Sequence, residues 1–194
     1  AVPIHGNYYT VPGSETNIRI IHRQKKQQWE RTELSFGDVN IADFVYMYKK
    51  MQFHNHQNLG FEQLRKPLSK NYDTEAAWIK LPENVVTMYR NLLQPDKQGY
   101  YVRNNHFEGL MFALKNAALM VTMTEGADLG VAVSSNALEL AGATEEEVYL
   151  YFYDRYVGGL GFAEKIYELI PKVVEQATRM VSGCRCKNGC AVCI

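Results

Sequence analysis

All four cysteines of this 194-residue chain fall in its last eleven residues, Cys184-Arg185-Cys186-Lys187-Asn188-Gly189-Cys190-Ala191-Val192-Cys193-Ile194. They read C-x-C-x3-C-x2-C. A thiolate is a soft, charged ligand, and four of them suit a tetrahedral zinc ion. Cys184/Cys186 and Cys190/Cys193 form close pairs that can each grip the metal from a tight turn, and Gly189 supplies backbone freedom before the second pair. Arg185 and Lys187 lie between ligands and offset part of the tetrathiolate charge. Four protein ligands leave no open position for water or substrate, so the expected role is structural. Two other chemistries compete. Paired disulfides suit small secreted domains, and a chain of this length can bury a core without them. A thiol redox switch would leave the sulfurs metal-free.

A second candidate for chemistry is Asp154-Arg155-Tyr156-Val157-Gly158-Gly159-Leu160-Gly161, between a strongly apolar strand and a helix. Strand, glycine-rich turn and helix invite a phosphate-loop reading. No Gly-Lys-Ser/Thr follows the glycines, which argues against a nucleotide triphosphatase. The structural alternative lets the glycines bring backbone close to another segment while Asp154 accepts hydrogen bonds from the loop amides. One phosphate of a passing strand at the helix N-terminus stays open. An enzyme built on Asp154, His106 and this loop is the weakest reading, since no nucleophile–base pair or open metal site accompanies them. His54 and His56, two apart, have no third ligand nearby and read as loop histidines.

A third candidate is basic. Arg19, Arg23, Lys25, Lys26, Lys49 and Lys50 lie on β-prone segments and, with Arg185 and Lys187, are candidate contacts to a nucleic-acid backbone. A solvated strand face and hairpin tip explains the first six better, given how common such faces are. Residues 1–105 hold 14 Lys/Arg against 10 Asp/Glu, and residues 106–194 hold 7 against 11. The halves therefore carry +4 and −4 in a chain of zero net charge, too weak a bias to establish nucleic-acid binding by itself.

The elements that must position these groups follow from the pattern. Residues 1–55 read as β: Tyr8 to Val11 before a turn at Pro12-Gly13, Asn17 to Arg23 before a hairpin tip at residues 24–28, Glu30 to Phe36 before a turn at Gly37-Asp38, then Val39 to Phe53. Asn58 to Asn71 reads as a polar connector and Thr74 to Leu81 as a strand. Pro82 opens a helix. A second helix carries Phe107, Leu110, Met111, Leu114, Ala118 and Val121 at helical spacing. Val131 to Val133 reads as a short strand and Glu145 to Glu147 as a solvated edge. Val148 to Tyr153 is apolar on both faces and belongs in the middle of a sheet. The last helix runs from about Gly161 to Val181, is kinked or divided at Pro171, and ends at Gly183 in the C-cap position. The expected fold class is α+β: a small antiparallel β subdomain over 1–100, then a mainly helical zinc-binding domain with a buried strand over 101–194, ending in the cysteine knuckle. No apolar run spans a membrane; the most apolar, Phe107 to Met123, carries Glu108 and Lys115. A chain opening on Ala1 reads as a piece of a longer, cytoplasmic protein.

The buried strand, Asp154, Gly158-Gly159-x-Gly161, the long helix and the C-x-C-x3-C-x2-C knuckle together resemble the C-terminal zinc-binding domain of the mitomycin repair factor A helicases. Phe36-Gly37-Asp38-Val39, Tyr48-Lys49-Lys50, Thr74-Glu75-Ala76-Ala77-Trp78-Ile79, His106-Phe107-Glu108-Gly109-Leu110 and Asp128-Leu129-Gly130 extend the likeness over most of the chain. Ala191 stands where the family commonly has proline between the last two ligands, and Pro171 inside the last helix is a second departure. The resemblance implies the non-motor part of an ATP-dependent 3′–5′ DNA repair helicase, zinc-stabilised, guiding single-stranded DNA and docking on the motor domains of the same chain. No Walker A sequence or acidic DExH box is present, so this stretch alone is expected neither to hydrolyse ATP nor to unwind DNA. The alternative is a protein-interaction module of a phage-defence complex that shares the zinc domain.

Overall fold

The computed structural model describes residues 8–53, 55, 57–92, 105–140, 143–186 and 190, the side chains of 90–92, 105–106, 135–140 and 143–146 excepted. The elements in order are β1 (Tyr8–Trp29), β2 (Thr32–Gln52), β3 (Asn58–Lys80), α1 (Glu83–Leu92), α2 (Asn105–Thr122), β4 (Leu129–Leu140), β5 (Ala143–Asp154) and α3 (Phe162–Gly183). Five strands form one antiparallel sheet in the order β1-β2-β3-β5-β4, and with the helices this is the α+β class expected. The chain divides into two compact units, residues 1–19 with 40–72 and residues 20–39 with 73–194.

The strands are longer than sequence punctuation suggests. Pro12-Gly13 lies inside β1 and Gly37-Asp38 inside β2. Pro12 is tolerated because β1 is the edge strand, where a missing N–H breaks no interior ladder. Gly37 marks a close approach instead of a turn: a Cβ there would lie 2.1 Å from the carbonyl oxygen of His22. The hairpin between β1 and β2 turns at Glu30-Arg31, with Glu30 at φ 52. Asn58 to Asn71, polar in sequence, is the first part of β3.

In the second unit β5 lies between β3 and β4, with Ala76 paired to Tyr153 and Leu129 to Asp154 at one end. Strand alternation splits its side chains. Val148, Leu150 and Phe152 join the core beneath the helices, whereas Tyr151 faces the other way and stacks on Trp78 at 5.9 Å. Trp78 is almost fully buried and carries the guanidinium of Arg23 at 5.9 Å from its ring. Burying a side chain of this size contributes roughly 2–3 kcal/mol. Such a strand, covered on both faces, explains why Val148 to Tyr153 shows no polar face in the sequence.

Pro82 opens α1 with its carbonyl, which accepts from Val85 N at 2.9 Å and Val86 N at 3.1 Å. Phe107, Met111, Leu114 and Ala118 set the buried stripe of α2. Phe112 and Met120 on its other sides are exposed, so the helix is enclosed on one side only. α3 buries Ala163, Ile166, Tyr167, Ile170, Val173 and Ala177 and continues without a break through Pro171. Pro171 is exposed while Ile170 and Val173 are buried, so the missing hydrogen bond falls on the solvent side. Gly183 is the last helical residue rather than the cap. Cys184 takes the C-cap position at φ −77 and ψ 130, with its N–H on Val181 O. The cysteine segment therefore starts directly from the end of α3. Among the described residues no helix is long and apolar enough to cross a membrane.

Candidate metal centre

The helix end fixes Cys184, and the sulfurs of Cys186 and Cys190 lie close to its own. Cys184 Sγ lies 3.2 Å from Cys186 Sγ and 3.6 Å from Cys190 Sγ. All three ligand atoms are within 4.8 Å of one another. A disulfide needs about 2.05 Å, so these thiols are not bonded to each other. A zinc tetrathiolate with bonds of about 2.3 Å has sulfur–sulfur edges of about 3.8 Å. The observed separations are close to such edges, so the donor set fits zinc. Cys186 is exposed and the other two half-buried, which puts the centre at the surface. Cys193, the expected fourth ligand, and Lys187 lie outside the described residues. Arg185 is exposed between the ligands.

A second cluster, the glycine loop, leads into the other end of α3. Asp154 is fully buried at the end of β5. Its Oδ1 accepts from Ala163 N at 2.9 Å and its Oδ2 from Leu160 N at 2.5 Å. Gly161 occupies the N-cap position without a side chain to cap the helix. Asp154 therefore supplies from a distance the oxygen that an N-cap residue normally supplies, and its charge faces the positive end of the helix dipole. The hydroxyl of Thr74 is placed to donate to Asp154 O at 2.9 Å or Tyr156 O at 2.7 Å, and Gly158 N donates to Asp73 O at 2.9 Å. Gly158, Gly159 and Gly161 have φ of 79, 80 and 81, the left-handed region that favours glycine. A Cβ on Gly159 would also lie 2.6 Å from Glu75 Oε2. Burial, and then the neighbouring Asp154 charge, push the Glu75 carboxyl above its ordinary range. Two amides that a phosphate would need are already bonded to Asp154, so the helix N-terminus holds an internal anion. The sequence singles out Asp154 and the glycines, and Thr74 and Glu75 only as part of a family-like segment; nothing local ties these two to a loop about 80 residues downstream.

The candidate basic residues sort into two groups. Arg23 pairs with Glu33 at 3.3 Å and Lys26 with Glu33 at 2.6 Å. Lys25 pairs with Glu164, and Lys50 with Glu62, which also accepts from Tyr48. Hydrogen bonding to Glu62 raises the Lys50 ammonium pKa, and the Lys50 and Tyr48 bonds lower that of Glu62. Arg19, Lys49 and Arg185 are exposed with no ion pair among the described residues. His54 and His56 lie outside the described residues, and His106 falls in the first turn of α2.

The comparisons agree with this geometry. The family model of the MrfA Zn-binding domain matches residues 110–194. The uncharacterized ATP-dependent helicase YprA of Bacillus subtilis is 23% identical over 187 residues, 96% of this chain and 23% of that protein. The uncharacterized protein MJ1572.1 of Methanocaldococcus jannaschii is 32% identical over 50 residues, 26% of this chain and 45% of that one. The crystal structure of DUF1998 helicase MrfA bound to DNA superposes with a TM-score of 0.58 at 23% identity, over 98% of this chain and 23% of that one. DUF1998 helicase MrfA in a further crystal structure gives 0.55 at 19% identity, over 100% and 27%. The chain thus spans about a quarter of the helicases it matches and has the fold of the corresponding region.

Proposed function

We propose, from the premise that residues 110–194 are an MrfA Zn-binding domain, that this chain is the zinc-stabilised, non-motor region of an MrfA-like, ATP-dependent 3′–5′ DNA repair helicase of the cytoplasm. Its work is to guide single-stranded DNA and to dock on the motor domains. The observation that carries this reading is the likeness to a helicase over 96% of the chain, with a thiolate cluster of zinc geometry at the matching end. Zinc supplies no reaction here; bound to Cys184, Cys186, Cys190 and Cys193 it ties the segment after α3 into the fold. Asp154 and the glycine loop order the opposite end of the same helix. Both ends of α3 are thereby fixed, which suits a rigid scaffold beside a moving motor.

The exposed side chains Met123, Val157 and Leu160 are available to a docking partner. The second reading is an interaction module of a phage-defence complex that shares the zinc domain. Fluorescence anisotropy of the zinc-loaded chain with labelled oligo-dT, at low and then rising salt, tests the DNA part. Salt-sensitive binding is expected; no binding at low salt would leave docking as the sole role.

A further inference from the structure

The first unit has almost no interior of its own. Of its described residues only Ile41 and Tyr72 are buried. Sheets in water ordinarily cover one face, yet Phe44, Tyr46, Phe53, Phe61 and Leu68 are all exposed. Val11 and Leu59 are exposed as well, so four of the seven exposed large apolar side chains described in this unit are aromatic. β2 is the central strand of β1-β2-β3. Phe44, Tyr46 and Tyr48 are two residues apart on it, so they form a row on one face with steps of about 7 Å. The row ends in a fixed cluster: Tyr48 Oη and Lys50 Nζ both bond Glu62, and Lys50 sits 5.6 Å from the ring centroid of Tyr8.

Charge identifies the occupant. Residues 1–19 and 40–72 contain six Lys/Arg and three Asp/Glu, in a chain of zero net charge. Two of those three acids are engaged, Asp43 by the Thr16 hydroxyl at 2.6 Å and Glu62 by Lys50. Arg19, Lys49, Arg65 and Lys66 are exposed with no acidic partner among the described residues. Strand alternation puts one of the neighbours Arg65 and Lys66 on each face. A row of rings in a unit with this excess of unpaired cations fits a ligand with flat apolar rings on an anionic chain. A partner protein would need an acidic and apolar face to match, whereas a single strand offers both properties at every nucleotide.

We infer that this face is the single-strand track: bases stack on Phe44, Tyr46 and Tyr48, and whichever of Arg65 and Lys66 shares the face holds a phosphate. It rests on the reading of the chain as a DNA-guiding region and locates that contact away from the cysteines. The test uses the zinc-loaded 194-residue chain and fluorescein-labelled oligo-dT. Phe44→Ser with Tyr46→Ser should weaken binding about tenfold or more with the salt slope unchanged. Arg65→Ala with Lys66→Ala should weaken it and flatten the salt slope by about one. Tyr46→Phe should recover most of the binding that Tyr46→Ser loses, since the ring is what stacks. If the wild-type chain fails to bind oligo-dT, the DNA-guiding reading falls and takes the track with it. If it binds and the serine pair stays within twofold of wild type, the track alone is overturned. Duplex DNA competing as well as oligo-dT, or a serine pair that abolishes only self-association of the chain, overturns it too. Photo-crosslinking of a bromodeoxyuridine strand to the unaltered chain covers the case of a misfolded variant: adducts within 40–52 are expected, and adducts confined elsewhere overturn the track.

Discussion

Asp154 shows how much one buried side chain can hold. It is fully enclosed, yet both carboxylate oxygens are used, one on each of two amides that lead into α3. Asp154→Asn keeps the shape but turns one acceptor into a donor facing an N–H. A loss of roughly 2–3 kcal/mol in urea unfolding is expected, because a charge-assisted bond is lost and a buried donor is left unmatched. The loop glycines separate two costs. Gly158→Ala meets only the left-handed backbone, about 1–2 kcal/mol, since nothing lies within 4 Å of its new Cβ. Gly159→Ala adds a collision with the Glu75 carboxylate and should be the worse variant by a further margin in the same titration. Equal losses would show that Glu75 yields freely. Glu75 also gives a pH signature. Its folded pKa is raised, by burial first and by Asp154 next. The folded state therefore holds the proton longer than the unfolded state, and stability falls as pH rises from about 4.5 through the folded pKa. Glu75→Gln should flatten that slope and stabilise the neutral protein.

At the level of elements, α3 and β5 carry the argument. α3 contains Pro171 in its interior yet stays continuous, because Ile170 and Val173 on the buried side hold both halves down. Pro171→Ala restores a hydrogen bond on an exposed position and should stabilise the chain by up to about 3 kcal/mol, read as a raised urea midpoint. β5 buries Tyr151, whose hydroxyl is pushed up to about 12 by burial. The folded state keeps this proton when the unfolded state has lost it. Stability is thus full below about pH 10 and drains away between about 10 and 12. Tyr151→Phe should flatten that alkaline limb.

These elements were legible in the sequence to very different degrees. β5 and α2 announce themselves through dense apolar runs and a 107, 111, 114, 118 stripe. β1 to β3 do not. Their prolines and glycines read as turns, whereas Pro12 sits harmlessly on an edge strand and Gly37 is needed for close approach to His22. The polar start of β3 shows no alternation because both of its faces are wet. The cysteine knuckle and Asp154 were readable because the chemistry is local in the chain. Thr74 and Glu75 were not, since only the sheet brings them to the loop, and the pairing of Lys25 with Glu164 spans 139 residues in the same way.

For the whole molecule, the α+β fold and the match of residues 110–194 to the MrfA Zn-binding domain make the metal centre the anchor of the design. Removing zinc with a chelator at neutral pH should lower Tm and release amide protection first in the last turns of α3, where Cys184 caps the helix. Exchange rates that do not change there would mean the metal is not holding that end. Zinc-edge X-ray absorption on the purified chain bears most directly on the centre itself. One zinc per chain with four sulfurs at about 2.3 Å is expected, supplied by Cys184, Cys186, Cys190 and Cys193. A shell containing nitrogen or oxygen, or a chain that purifies without zinc, would contradict it.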